Sequence, residues 1–105
     1  MIIVVFRSRL SNDAGADYQA METELGELVQ QNPGFVDAKS YVAPDGEHLT
    51  IVWWRDEESL RAWRELPRHR EAQQSARLRW HEFYHVEVAT VTRSSAFDRS
   101  GSPGQ

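Results

Sequence analysis

The sequence predicts an α+β fold in which four strands form one antiparallel sheet and three helices cover one of its faces. Four short segments are rich in apolar residues that alternate or run continuously, as strands do. Three other segments repeat their apolar residues at helical spacing. The turn Pro44-Asp45-Gly46 joins the second and third strand segments and is typical of an antiparallel hairpin. The predicted order is therefore β-α-β-β-α-α-β.

The first strand and the first helix come before a proline-glycine turn. Residues 2–9 are apolar on both faces over their first half, which suits a strand that is buried on two sides. A helix is predicted from about residue 16 to residue 31. Because glycine costs helix stability, Gly26 inside this helix predicts the close approach of another element. Asn32-Pro33-Gly34 ends the helix.

The second and third strands, residues 35–43 and 47–55, form the predicted hairpin. The third strand is apolar on both faces, which carry Leu49, Ile51 and Trp53 on one side and Thr50, Val52 and Trp54 on the other. An antiparallel sheet with one wet face does not have this pattern. Helices can cover one face, and a chain of 105 residues has no further layer for the second. We therefore expect a homodimer joined through the sheet faces.

Two more helices follow the third strand. Asp56 is placed to cap the second helix, which carries Trp63 on its inner side. Pro67 begins the third helix at its first position. The inner face of the third helix is small and partly polar, and consists of His69, Ala72, Gln73, Ala76 and Trp80 at i, i+3, i+4, i+7 and i+11. Such a face leaves room for a pocket.

The fourth strand, residues 82–92, completes the domain, with Phe83 and His85 on one face. From residue 94 to residue 105 the chain is small and polar, which predicts a flexible tail. Residues 1–93 then form one domain. Its element order is that of a ferredoxin-like α+β fold with helices on one sheet face.

Composition excludes several classes of function. The formal net charge is −4 and no basic stripe is present, which argues against nucleic-acid binding. The chain has no cysteine, so disulfides and thiolate metal sites are excluded. His81 and His85 are four residues apart, but no third ligand is placed beside them, so no metal is expected. The apolar residues 1–6 are too few for a signal sequence or a membrane span, which predicts a cytoplasmic protein that binds no membrane.

The sequence resembles the antibiotic biosynthesis monooxygenase domain, a family of the dimeric α+β barrel group. The resemblance covers about residues 2–93 and rests on four segments of the chain. They are Asn32-Pro33-Gly34-Phe35, Leu49-Thr50-Ile51-Val52-Trp53-Trp54, Ala62-Trp63-Arg64 with Pro67-Arg68-His69-Arg70-Glu71-Ala72-Gln73, and Tyr84-His85-Val86-Glu87-Val88. The pattern is specific for the fold and poorly specific for the activity, since the group contains oxidases, haem-degrading enzymes and isomerases.

The resemblance implies a pocket between the helices and the sheet, and oxygenases that need no metal or flavin because the substrate itself reduces dioxygen. We therefore expect no cofactor, with dioxygen and a small phenol, quinol or anthrone as partners. The haem-degrading branch uses a first-strand asparagine, a helix tryptophan and an axial histidine ten residues later. Trp63 matches the tryptophan, but Ser8 and Gln73 stand at the other two positions, so haem degradation is disfavoured.

Three residues are the predicted catalytic group. His69 is the expected base, since a histidine with a pKa of about 6.5 suits a phenolic proton near neutrality. Trp63 would hold the substrate, and Gln73 would orient a carbonyl or peroxide. Each has an ordinary alternative: a core tryptophan, a helix-start histidine bonded to backbone or solvent, and a polar rim residue. The predicted substrate-binding walls are Trp54, Phe83, Phe6, Ala72 and Ala76.

Two other functions remain open at this level. The chain is a non-catalytic small-molecule binder if its tryptophans only fill the core, and a filled interior beside Trp63 would favour that interpretation. An isomerase of a small oxo compound would use the same histidine without dioxygen. Arg7 and Arg9 either reach an anionic substrate or act as edge-strand charges against aggregation, and the second role is the default.

Overall fold

The structure is a computed structural model that describes residues 1–99. Its strands are β1 (Ile2–Leu10), β2 (Phe35–Val42), β3 (His48–Trp54) and β4 (His81–Thr90), and its helices are α1 (Ala16–Val29), α2 (Glu57–Glu65) and α3 (Pro67–Ser75). α3 continues directly into a π-helix, Ala76–Trp80. The predicted α+β order β-α-β-β-α-α-β is confirmed.

The four strands form one antiparallel sheet in the order β2-β3-β1-β4. In the central row Val4 pairs with Val52 on one side and with Val88 on the other. This register places the even-numbered residues of β1, β3 and β4 on the face that the helices cover. Trp54 lies on this face with 1% of its surface exposed. The faces predicted for β3 are therefore confirmed.

Two groups of buried side chains hold the helices on the sheet. The tryptophan cluster consists of Ile2, Trp54 and Leu60, with Val4, Val29, Phe35, Val52 and Trp63 packed against them. The α3 cluster consists of Met21, Ala72, Ala76 and Trp80, with Ala14, Tyr18, Leu25 and Tyr84 around them. Full burial of one large apolar side chain contributes about 1.5–3 kcal/mol, so these few residues give a modest core.

The expectation of a close approach at Gly26 is wrong. Nothing lies within 4 Å of the position that a Cβ atom would take there. The close approach is at Gly34, where a Cβ would lie 1.9 Å from Ser59 Oγ and 2.2 Å from Ser59 Cβ. The glycine that the packing needs is therefore in the turn after α1, which contacts the first turn of α2.

The sheet face turned away from the helices has no cover within residues 1–99. Its centre consists of Ile3, Val5, Ile51 and Trp53, which are all partly exposed. Towards the edges Tyr41 is 52% and Phe83 40% exposed. The sequence predicts that a second copy of the chain packs on this apolar face.

The described part of the chain after β4 has no helix or strand. The predicted flexible tail begins at residue 94, and its last residues, 100–105, lie outside the described part. Within residues 1–99 no helix has the length and apolar composition that crossing a membrane requires.

Candidate functional site

The first turn of α2 is fixed at several points, and this fixes Trp63 one turn further on. Asp56 is the N-cap, and its Oδ1 accepts a hydrogen bond from Ser59 N at 2.8 Å. Asn32 Nδ2 donates to Ser59 O at 3.0 Å, while Asn32 Oδ1 accepts from Gly34 N at 2.8 Å. The hydrogen bonds from Ser59 and then from Arg55 lower the pKa of Asp56 to about 2, so the cap is ionised at neutral pH.

An uninterrupted series of rings runs from β2 to α3. The ring centroids of Phe35 and Trp54 are 5.9 Å apart, and those of Trp54 and Trp63 are 6.3 Å apart. Trp63 then contacts His69, with a centroid distance of 5.0 Å and an interplanar angle of 56°. Trp54 is buried and Trp63 is half-buried. Trp63 therefore packs against the core on one side and presents indole surface on the other.

One ring nitrogen of His69 is left without a hydrogen bond by the part of the chain that the structure describes. Its Nδ1 atom is buried and has no hydrogen-bond partner within residues 1–99. Burial lowers the pKa of His69, and the positive charge of Arg64 lowers it further, against a smaller opposing effect of the Arg64 main chain. A neutral imidazole with an unpaired nitrogen is suited to accept a proton.

Two cavities border α2. The larger, of about 490 Å³, lies beside Trp63 between the end of α1 and α2, and is lined by Leu28, Gln31, Asn32, Pro33, Arg55, Asp56, Glu58, Ser59, Ala62, Trp63 and Leu66. The smaller, of about 270 Å³, lies between α2 and β4 and is lined by Glu57, Leu60, Arg61, Arg64 and Val88. The space beside Trp63 is therefore not filled, although neither cavity includes His69 or Gln73.

The structure brings only part of the predicted site together. Trp54, Trp63 and His69 form the ring series described above. Gln73 is half-buried on the next turn of α3 after His69, and its side chain makes no hydrogen bond within residues 1–99. Ala72 and Ala76 are buried in the α3 cluster, against Met21 and Trp80. They therefore pack as core residues and set how closely α3 approaches its neighbours.

The two predicted phenylalanine walls are on opposite faces of the sheet. Phe6 faces the helices and stacks on Tyr84, with ring centroids 5.5 Å apart and planes at 20°. Phe83 is the β4 neighbour of Tyr84 and pairs with Arg9, so it points to the uncovered face. A single pocket within one chain cannot include both Phe83 and Trp54, and the predicted wall is corrected accordingly.

Sequence reasoning missed a second polar and aromatic group on the helix-facing side. His81 lies at the start of β4, with Tyr18 of α1 and Tyr84 of β4 near its ring. Burial raises the pKa of Tyr18 to about 12 and also raises the pKa of Glu22 on the same helix. The two α1 residues are far in sequence from His81 and Tyr84, and the packing of Tyr18 against His81 brings the two pairs together.

The spacing of His81 and His85 does not make a metal site. His81 contacts Phe6 on the helix-facing side, whereas His85 pairs with Arg7 and points to the uncovered face. The register of β1 and β4 shifts between Arg9 and Leu10, which places the two histidines on opposite faces. Within residues 1–99 no three histidine, aspartate or glutamate side chains are grouped to hold a metal ion.

Comparison with known proteins places the chain in a family. The sequence model described as "Antibiotic biosynthesis monooxygenase" matches residues 1–75, and the chain belongs to this family. It is 31% identical over 98 residues to the uncharacterized protein YqjZ of Bacillus subtilis, with 92% of this chain and 84% of YqjZ covered. It is also 31% identical over 96 residues to the jasmonate monooxygenase ABM of Pyricularia oryzae, with 90% of this chain covered. The chain spans only 45% of that longer protein.

The solved structures show the same fold. SnoaB of Streptomyces nogalater, a cofactor-independent oxygenase, superposes with a TM-score of 0.71 at 17% sequence identity, over 89% of this chain and 94% of SnoaB. At this identity the likeness establishes the ferredoxin-like fold alone.

Proposed function

We propose that this chain is a monooxygenase that oxidises a small phenol, quinol or anthrone with dioxygen and needs no metal or flavin. The observation that carries the proposal is the contact of Trp63 with His69, whose buried Nδ1 has no hydrogen-bond partner among residues 1–99. Family membership supports the reaction class, and the names of SnoaB and of the Pyricularia relative are those of oxygenases. The unfilled space beside Trp63 supports binding of a ligand there.

The proposed reaction balances without a further reductant. For an anthrone, His69 accepts one proton from the ring CH₂, and the carbanion passes one electron to dioxygen. The two radicals combine to form a C–O bond, which gives a peroxide. His69 returns the first proton to the peroxide. Removal of the second proton from that carbon then breaks the O–O bond, leaves a carbonyl and releases the other oxygen as hydroxide, which the removed proton converts to water. The substrate supplies four electrons, and dioxygen supplies one atom to each product.

Each residue of the proposed site has a physical role. Trp63 offers a flat indole surface against which an aromatic ring stacks. His69 takes the proton while its ring is held against Trp63. Gln73 lies one turn further along α3, and its side chain has no hydrogen-bond partner in the described part of the chain. It donates a hydrogen bond to the peroxide or carbonyl oxygen. Trp54 closes the site from behind and excludes water.

Oxygen uptake by the metal-free protein tests the function. With an anthrone or a hydroquinone we expect uptake above the spontaneous rate. Replacing His69 with Phe should reduce it about 100-fold, since it keeps a ring and removes the base. His85→Phe is the matched control, because His85 lies on the other sheet face. Equal uptake by both variants would reject His69 as the base, and turnover that continues without dioxygen would identify an isomerase.

The proposal includes a homodimer in which the uncovered sheet face packs on a second copy. A specific interface buries about 800 Å² on each partner, and apolar Ile3, Val5, Ile51 and Trp53 stand at the centre of that face. Trp53→Arg should then yield a monomer in light scattering. Leu78→Arg, at a position 82% exposed on the π-helix, should leave the dimer intact. A monomeric wild type at micromolar concentration would exclude this assembly.

The cytoplasmic location expected from the sequence belongs to the same proposal. Fractionation of cells that make the protein tests it, and recovery with the membrane or in the medium would contradict it.

A further inference from the structure

The smaller cavity, between α2 and β4, is lined by two arginines. It has a volume of about 270 Å³, and its walls are Glu57, Leu60, Arg61, Arg64 and Val88. We call it the α2–β4 cavity. It lies on the opposite side of α2 from the cavity beside Trp63, and among residues 1–99 the two cavities share no lining residue.

The two arginines are free to bind an anion. Arg61 and Arg64 are three residues apart on α2, so their side chains lie on the same face of the helix. Within residues 1–99 neither guanidinium forms an ion pair or a hydrogen bond, whereas Arg68 and Arg79 each pair with a carboxylate of α1. Glu57 also has no ion pair in this part of the chain. Two positive groups and one negative group give the cavity a net charge of +1, which favours a ligand with a single negative charge.

The remaining walls of the cavity are apolar. Leu60 is 5% exposed and closes the inner side, while Val88 is 47% exposed. Val86 is 48% exposed and continues the apolar surface along β4, because two residues of strand span about 7 Å and return to the same face. A volume of about 270 Å³ is roughly that of nine water molecules, which is enough for a carboxylate with a short apolar group.

We propose that the α2–β4 cavity is a second binding site, and that its ligand is a small apolar monocarboxylate. Arg61 and Arg64 donate hydrogen bonds to the carboxylate, as guanidinium groups do in charge-assisted pairs. The apolar part of the ligand covers Val88 and extends towards Val86. The site is separate from the one proposed for oxidation, so the inference goes beyond the proposed function and does not depend on it.

A ligand in this site would act on His69. Burial lowers the pKa of His69, and the positive charge of Arg64 lowers it further. A carboxylate bound to Arg64 offsets that charge, so the pKa of His69 should rise towards its ordinary value when the site is occupied. The imidazole signals of His69 in NMR therefore report on this site and on no distant one.

Binding of three probes at neutral pH tests the proposal. Cinnamate carries a carboxylate on a flat apolar group, cinnamamide has the same shape without the charge, and acetate keeps the charge without the apolar group. Calorimetry should show that the wild type binds cinnamate at least about tenfold more tightly than either of the others. Arg64→Gln should weaken cinnamate binding about tenfold and leave cinnamamide unchanged. Arg70→Gln is the matched control, since Arg70 is exposed on α3, has no ion pair within residues 1–99 and lines neither cavity.

Several results would overturn the proposal. They are no binding of cinnamate at millimolar concentration, equal binding of cinnamate and cinnamamide, acetate binding as tight as that of cinnamate, and an equal loss in Arg64→Gln and Arg70→Gln. A pKa of His69 that cinnamate leaves unchanged in the wild type would also contradict binding at Arg64. Both arginines are exposed and unpaired in the described part of the chain, so the glutamine variants should fold. None of these measurements involves dioxygen, so the site stands or fails independently of the oxygenase.

Discussion

Replacing Gly34 with alanine should destabilise the protein and displace Trp63. The new Cβ would lie 1.9 Å from Ser59 Oγ and 2.2 Å from Ser59 Cβ, so atoms must move by more than 1 Å. Rotation of the Ser59 side chain cannot relieve the clash, because its Cβ is fixed to the α2 backbone. The displacement also strains the hydrogen bond from Arg55 N to Gly34 O at 2.7 Å. Overpacking of this kind costs about 1–3 kcal/mol.

The matched control is Gly26→Ala in the middle of α1, where the same change meets open space. Alanine should stabilise that helix by about 0.5–1 kcal/mol. Thermal unfolding followed by circular dichroism measures both, and about 1 kcal/mol corresponds to a shift of roughly 4–8 °C in Tm for a domain of this size. The decisive experiment introduces Gly34→Ala into a Ser59→Gly variant, which lacks both clashing atoms. If Gly34→Ala lowers the free energy of unfolding as much in the Ser59→Gly variant as in the wild type, the clash with Ser59 is not the cause of the destabilisation.

Two further predictions concern pH. The Asp56→Asn variant keeps a capping oxygen but cannot ionise. The pKa of Asp56 is lowered from 3.8 to about 2 in the folded protein. The wild type should therefore have a higher Tm than the variant above pH 4, and this difference should shrink as pH falls towards 2. A constant Tm difference over that range would contradict it. His69 has a pKa below its ordinary 6.5, so the fold favours the neutral ring and stability should fall as pH drops below 6.5. Burial lowers the pKa of His81 as well, so His69→Phe should reduce this loss of stability at low pH without removing it. If Tm depends on pH in the variant as it does in the wild type, His69 does not titrate as described.

Much of the fold could be predicted because it depends on local patterns. The alternation in β3 assigns Trp53 and Trp54 to opposite faces, and the structure confirms this assignment. Pro67 begins α3 as predicted, and Asp56 caps α2. Each of these features is determined by a few neighbouring residues, through side-chain direction, a fixed φ angle or a capping hydrogen bond. Such signals can be read from one sequence.

The site was harder to predict because it depends on register between distant strands. Phe83 was assigned to the same wall as Trp54, yet β4 pairs with β1 so that Tyr84 faces the helices. The irregularity between Arg9 and Leu10 and the π-helix before β4 both change which residue faces inward, and neither has a sequence signal. His81 was for the same reason given no place in the pocket, since its spacing from His85 was considered as a metal site and rejected. Its aromatic surroundings come from β1, α1 and β4 together.

The position of the helices explains both the modest core and the proposed site. Within one row of the sheet Val52 and Val4 are partly buried, whereas Val88 on β4 is 47% exposed. α2 and α3 therefore cover the middle of the sheet and leave a strip of β4 open. The two valines on this strip are about half exposed, so covering what remains would contribute about 1 kcal/mol each, roughly half of the value for a fully exposed side chain. An exposed apolar strip of this kind is typical of a binding surface, and a flat apolar ligand lying along it would bury Val86 and Val88.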